Sequence, residues 1–177
     1  QALATKEGLI SGVGDSETLL RLKGPLTKIV DLAGATVVPG FIDAHSHFAG
    51  VGTQAMVANL LPAPDGPVNT IAELQAEISH FIATSPIAKN YKVAIGFNYD
   101  DSQLVEQRHP NRHDLDAVST EIPIVVMHQS GHIGAYNSKA LEIMGITAET
   151  PDPAGGVIER ESDGKTPNGV MQDNAHF

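Results

Sequence analysis

His45 and His47 are the residues of this chain whose type and spacing best suit them to chemistry. They close an apolar run, residues 38–48, that reads Val-Pro-Gly-Phe-Ile-Asp-Ala-His-Ser-His-Phe. In an extended strand, residues two apart project from the same face, so both imidazoles could grip one divalent cation without the backbone bending. The spacing therefore predicts a metal half-site. The same parity puts Phe41, Asp43, His45 and His47 on one side and Ile42, Ala44, Ser46 and Phe48 on the other. Asp43 would then lie one layer below the histidines, either accepting the second ring proton of an imidazole or serving as a salt-bridged or capping aspartate.

A histidine pair of this spacing is a weak pattern alone, because two histidines at a strand end can equally be hydrogen-bonded turn residues. The surrounding string strengthens it. A buried strand entered through Pro39-Gly40 would deliver the pair to its C-terminal end, which is the active face of a barrel built from parallel strands.

Composition narrows the chemistry further. The chain has no cysteine, so thiolate ligands, disulfides and a thiol nucleophile are excluded, and histidines and carboxylates remain as metal ligands. A net charge of −10 argues against a nucleic-acid groove or an anionic membrane surface as partner. With 177 residues, 41% of them hydrophobic, the chain has the size and core material of one ordinary domain. No stretch approaches 18 consecutive apolar residues, and residues 1–7 lack the cationic head and apolar segment of a signal peptide, so a soluble, cytoplasmic protein is expected. The first residue is Gln1 rather than Met, which points to further residues upstream. No Gly-x-Ser-x-Gly string supports a serine hydrolase, and Ser46 would face away from both histidines.

The elements that must position the pair follow from periodicity. Short apolar pieces before residue 38, broken by Gly12, Gly14, Gly24-Pro25 and Gly34, predict small strands and turns. The segment 62–67, with three prolines, has loop composition. Thr70 and Glu73 match a capping box, and Ile71, Leu74, Ile78, Phe81 and Ile82 recur at helical spacing up to Pro86. Strands are expected at 92–97 and 122–127, joined by a polar connection over 98–116. Asn137 reads as the cap of a short helix over 138–144 that Gly145 stops, and 157–161 and 169–172 flank a turn at Asp163-Gly164. This order predicts an α/β fold, a parallel barrel or sheet.

Other polar residues are weaker candidates. His128 and His132 stand four apart, but the β-branched run before them and Gly131 between them favour a strand end and loop over a shared helical face. His109 and His113 flank Pro110 in a stretch that reads as a solvated loop. Asp100-Asp101 is an acidic pair with no regularly spaced oxygen ligands after it, so a calcium loop is not indicated.

Several strings carry a resemblance. Residues 38–47, His113-Asp114-Leu115-Asp116, Ser130-Gly131-His132, Asn137-Ser138-Lys139-Ala140-Leu141 and Pro167-Asn168-Gly169-Val170 together resemble the amidohydrolase superfamily of metal-dependent hydrolases, in its YtcJ-like branch, amidohydrolase family 3. The resemblance implies a (β/α)8 TIM barrel with a small β-sandwich built from both chain ends, residues 1–38 falling in the sandwich and 39–177 in the first βα units of the barrel. It implies one or two divalent metals, usually zinc, with His45 and His47 as ligands. The reaction implied is hydrolysis of non-peptide carbon–nitrogen bonds in amides, cyclic amides or formamides by a metal-activated hydroxide. His132 becomes a substrate contact, against the alternative of a histidine that only satisfies loop carbonyls. Asp173 sits where such chains often carry an acidic residue, facing the site or simply exposed.

The remaining ligands implied are a lysine, two further histidines and an aspartate that acts as general base, all expected beyond Phe177. A barrel of this kind needs about 250 residues, so the chain reads as the N-terminal third of a larger enzyme. The alternative is a catalytically silent fragment or assembly module of the same fold. The partner expected is a small-molecule substrate, with no nucleic acid or membrane. A homo-oligomer is compatible with the sequence, which leaves oligomeric state open.

Overall fold

Glu7 and Gly8 take φ values of 53° and 79°, the two left-handed residues that a tight hairpin turn demands. They join β1 (Ala2–Lys6) to β2 (Leu9–Gly14) in an antiparallel pair, Ala2 opposite Gly14 and Lys6 opposite Leu9. A short helix, α1 (Ser16–Leu20), follows, its first turn closed by the Asp15 carboxylate accepting from Thr18 N–H at 2.7 Å. The computed structural model describes residues 1–177 and divides them into two compact units, 1–44 and 45–177.

No strand forms over residues 38–47, which corrects the expectation from the apolar run. The reason is the nature of strand propensity: an extended segment is stable when a neighbour satisfies its backbone and covers its side chains. None of the eight strands pairs with this segment, and Phe41 and Ile42 are each 94% exposed.

In the larger unit, α2 (Phe48–Gln54) leads to β3 (Ala58–Asn59) and a loop through 62–67. Helix α3 (Ile71–Thr84) forms as the periodicity requires and buries Ile71, Leu74 and Ile78. Thr70 caps it, accepting from Glu73 N–H at 3.1 Å, while the Glu73 carboxylate reaches back to Asn69 N–H at 2.8 Å rather than to the cap residue. Ser85 stops α3 and caps α4 (Pro86–Tyr91), where Pro86 occupies a first-turn position whose N–H would have no partner.

Strands β4 (Ala94–Tyr99) and β5 (Ile124–His128) run parallel to each other and to β3. Between them, the polar stretch expected to be a plain connection contains α5 (Arg112–Asp116). Asn111 and Asp114 form a reciprocal capping box there, which outweighs the low apolar content of the segment. Gly131, at φ 74°, then turns the chain back into an unexpected strand, β6 (Ile133–Tyr136), antiparallel to β5. Helix α6 (Ser138–Met144) ends at left-handed Gly145 as its sequence demands. The hairpin of β7 (Gly156–Arg160) and β8 (Pro167–Asp173) completes a six-stranded sheet of order β3-β4-β5-β6-β8-β7.

The fold is thus α/β, as expected, with a mixed sheet: parallel through β3, β4 and β5, antiparallel beyond. The main core lies between α3 and this sheet, where Leu60, Leu74, Ile78, Ala94, Ile124 and Val126 are wholly buried. No helix is long and apolar enough to cross a membrane.

Candidate metal pair and carboxyl-edge site

His45 lies on a bend and His47 is the N-cap of α2, so the two rings are brought together by a turn rather than by strand parity. Their Nε2 atoms are 2.9 Å apart and the ring centroids 5.0 Å apart. At that distance one nitrogen donates to the other, or both turn lone pairs toward a shared cation. Two nitrogens bound to one tetrahedral zinc at ~2.0–2.1 Å each lie ~3.3 Å from one another. The observed separation is within a few tenths of an ångström of that, so the pair fits a divalent metal. Both side chains are exposed. Gln54, in the last turn of the helix that His47 starts, donates to Asn98 Oδ1 at 3.5 Å, next to the C-terminal end of β4.

Ligands of parallel sheets bind outside the carboxyl ends of the strands. At the ends of β4 and β5 here stand Tyr99, Asp100, Asp101 and His128, a group the sequence reading did not assemble. The signal was present in outline, since Asp100-Asp101 and His128 directly follow or close the two apolar runs. Tyr99 is fully buried, and burial, with the charges of Asp101 and Glu159 behind it, pushes its phenol far up. Its hydroxyl meets His109 Nδ1 at 3.1 Å, and the rings of Tyr99, His109 and His128 pack edge to face. His109 is therefore half-buried rather than solvated. His113, by contrast, is exposed on α5, 2.9 Å from Glu161.

Ligand atoms of Asp100, Asp101 and His128 lie within 4.8 Å of one another, close enough for a cation. Their hydrogen bonding argues otherwise. Ser130 N–H donates to His128 Nδ1 at 3.1 Å, which puts the proton of a neutral ring on Nε2. That buried Nε2 faces Asp101 Oδ1 at 3.1 Å without forming a well-aligned hydrogen bond. Asp100 already accepts from Ser102 and Gln103, and these bonds, Ser102 first, hold its carboxyl low. Burial outweighs the pull of Asp101 and lowers His128 below its ordinary value. The trio is thus built around a neutral imidazole beside carboxylates.

The same edge carries the second sequence candidate. Because β6 is antiparallel to β5 and β8 is antiparallel to β6, the end of β8 comes out beside the end of β5. There His132 Nδ1 meets Asp173 Oδ1 at 3.0 Å, and Asp173 N–H donates to the His132 carbonyl at 2.8 Å. Ser130 joins the neighbourhoods, its Oγ lying 2.8 Å from His128 Nδ1 and accepting from His132 N–H at 3.2 Å. The His132 ring packs edge-on to Phe177. Nearby, His176 Nδ1 lies 2.7 Å from the Tyr136 hydroxyl, and burial followed by the charge of His132 depresses His176. The structure therefore pairs His45 with His47 and His132 with Asp173.

An α/β chain with a histidine pair suited to a metal carries its other acid–base groups at the carboxyl edge of its parallel strands, where ligands of α/β folds bind. Comparison narrows this further. The model of the family described as Amidohydrolase family matches residues 28–177. The chain is 35% identical over 175 residues to the N-substituted formamide deformylase of Arthrobacter pascens, covering 99% of this chain and 31% of that protein. It is 37% identical to the exoenzymes regulatory protein AepA of Pectobacterium carotovorum subsp. carotovorum, over 98% of this chain and 37% of that one. YtcJ of Bacillus subtilis (strain 168) is 32% identical, over 99% of this chain and 32% of that one. Among solved structures, an uncharacterized metal-dependent hydrolase from Pyrococcus horikoshii OT3 superposes with a TM-score of 0.51 at 24% identity, over 98% of this chain and 30% of that one. This chain belongs to the amidohydrolase family, and it spans about a third of the length of these relatives.

Proposed function

We propose that this chain is part of a metal-dependent hydrolase acting on non-peptide carbon–nitrogen bonds, such as those of amides, cyclic amides or formamides. The observation that carries the reading is the 2.9 Å approach of His45 Nε2 and His47 Nε2 within a chain of the amidohydrolase family. In this reading His45 and His47 hold a divalent ion, zinc by preference, and His132 contacts a small-molecule substrate. When bound, such an ion supplies a Lewis acid for the carbonyl oxygen and lowers the pKa of water. The general base and remaining ligands belong to a (β/α)8 barrel, with a small β-sandwich beside it. Residues 1–38 go with the sandwich and 39–177 with the barrel. The net charge of −10 supports a small-molecule partner over nucleic acid or membrane, and a cytoplasmic location is part of the same reading, with a homo-oligomer compatible.

A second reading, a catalytically silent assembly module, draws on the exposure of Phe48, which follows His47 in the chain. Metal analysis after exposure to equimolar zinc separates the two. The hydrolase reading expects bound zinc that disappears in the His45→Ala, His47→Ala double variant while the circular dichroism spectrum is unchanged. Zinc retained equally by the double variant would refute it.

A further inference from the structure

Asp173 is an aspartate at φ 47°, a left-handed conformation uncommon outside glycine, asparagine and aspartate, which contacts with the surroundings can hold in place. Three contacts do so. Its N–H donates to the His132 carbonyl at 2.8 Å, its own carbonyl accepts from His176 N–H at 2.8 Å, and it also accepts from Phe177 N–H at 3.1 Å. The consequence of this backbone geometry is the 3.0 Å contact between Asp173 Oδ1 and His132 Nδ1 across 41 residues of sequence. A carboxylate only accepts, so a neutral His132 in this contact carries its proton on Nδ1 and leaves a lone pair on Nε2. His132 is exposed and stands at the edge where β4, β5 and β8 end.

We propose that Asp173 is a positioning residue that fixes His132 in its Nδ1–H tautomer, so that His132 Nε2 accepts a hydrogen bond from the N–H of a substrate amide. The inference rests on the reading of His132 as a substrate contact and deepens it: the favoured class is amides and formamides that keep an N–H beside the carbonyl, whether primary or N-monosubstituted. Fully N,N-disubstituted amides have no proton for this acceptor. The Asp173 carboxylate is the one titratable side chain hydrogen-bonded to the His132 ring, and Phe177 lies edge-on to it.

The test is nitrogen-15 NMR of the imidazoles in the 177-residue chain at pH about 8.5, above the ordinary titration range of imidazole. The His132 signals are assigned by their loss in His132→Gln. The expected result is a dominant Nδ1–H tautomer in the parent chain. In Asp173→Asn, whose amide can donate to Nδ1, the tautomer ratio moves toward Nε2–H by about tenfold, the worth of one charge-assisted bond. Asn tolerates the left-handed backbone, so the turn survives the change. Asp173→Gly accepts that backbone more readily still and removes the carboxylate, so it repeats the measurement if the Asn variant misfolds. A dominant Nε2–H tautomer in the parent chain, or a ratio unmoved in both variants, would overturn the proposal. Zinc binding by His45 and His47 is a separate readout, so failure here is distinguishable from failure of the hydrolase reading.

Discussion

The side-chain oxygen of Asn137 accepts the backbone N–H of Ile124 at 3.0 Å, with both residues wholly buried. The backbone returns the contact, Asn137 N–H donating to the Ile124 carbonyl at 3.1 Å. The same Oδ1 caps α6 through Ala140 N–H at 2.9 Å, and Nδ2 donates to the carbonyls of Ser119 and Ile122. One amide thus fastens the start of β5, the loop before it and the helix after β6.

Replacing Asn137 by alanine removes four hydrogen bonds and leaves the N–H groups of Ile124 and Ala140 buried, and the carbonyls of Ser119 and Ile122 part-buried, without this partner. Unsatisfied buried groups cost about 1–3 kcal/mol each, partly offset by relaxation. Urea denaturation of Asn137→Ala should show a loss of about 3–5 kcal/mol. A loss below about 1 kcal/mol would mean that water reaches these groups and that the amide is not the fastening.

Gly169 makes a related contribution on β8. At φ 98°, an added methyl group would meet the Tyr136 carbonyl oxygen and lie 2.8 Å from Arg112 N, both backbone atoms that have no rotamer by which to yield. Gly169→Ala is expected to destabilise by about 2–4 kcal/mol through combined strain and overpacking. Gly164, at φ 70° with open space around it, is the control: its alanine variant carries the backbone strain alone and should lose roughly half as much by the same denaturation measurement.

Much of this architecture was legible in the chain. The Thr70 cap with its helix, the Asn137 to Gly145 helix and the Asp163-Gly164 hairpin all formed where local chemistry placed them, because caps and turns are decided within a few residues. The failures are non-local. The 38–47 run has strand composition and no ladder, and β6 exists because Gly131 lets the chain double back onto β5. At the site, spacing singled out His45 and His47, but the strand parity it invoked is absent, and a bend followed by the start of α2 brings the two rings together. The contacts of Asp173 with His132, and of Asp101 with His128, bring together residues 41 and 27 positions apart through sheet order, which periodicity does not encode.

The histidine pair also makes a prediction about coupling. Two imidazoles holding one ion act as a chelate, so removing either leaves a single weak ligand and the second removal costs little more. Zinc titrations of His45→Ala, His47→Ala and the double variant should therefore give a coupling energy of at least about 1 kcal/mol. Losses that add within about 0.5 kcal/mol would mean that the two nitrogens bind separate ions, despite their 2.9 Å approach.

His128 makes stability depend on pH in a defined direction. Burial lowers its pKa below 6.5, with the charge of His109 adding to the effect and Asp101 opposing it. An unfolded chain binds a proton at this ring near pH 6.5, whereas the folded chain resists until lower pH. Between those two values the unfolded state holds more protons, so stability is fully present above about pH 6.5 and falls as the solution is acidified. Once the pH is below the folded value, both states are protonated and the loss from this ring is complete. The slope for one such group approaches ~1.4 kcal/mol per pH unit within the window. His176, depressed by burial and then by His132, adds a slope of the same sign. Denaturation midpoints between pH 7.5 and 5 should therefore fall for the parent chain. His128→Gln, which cannot be charged, should start less stable at pH 7.5 because the Ser130 contact is disturbed, yet give a flatter profile. An equally steep profile in the variant would assign the acid sensitivity to other groups and would remove the case for a neutral His128 beside Asp101.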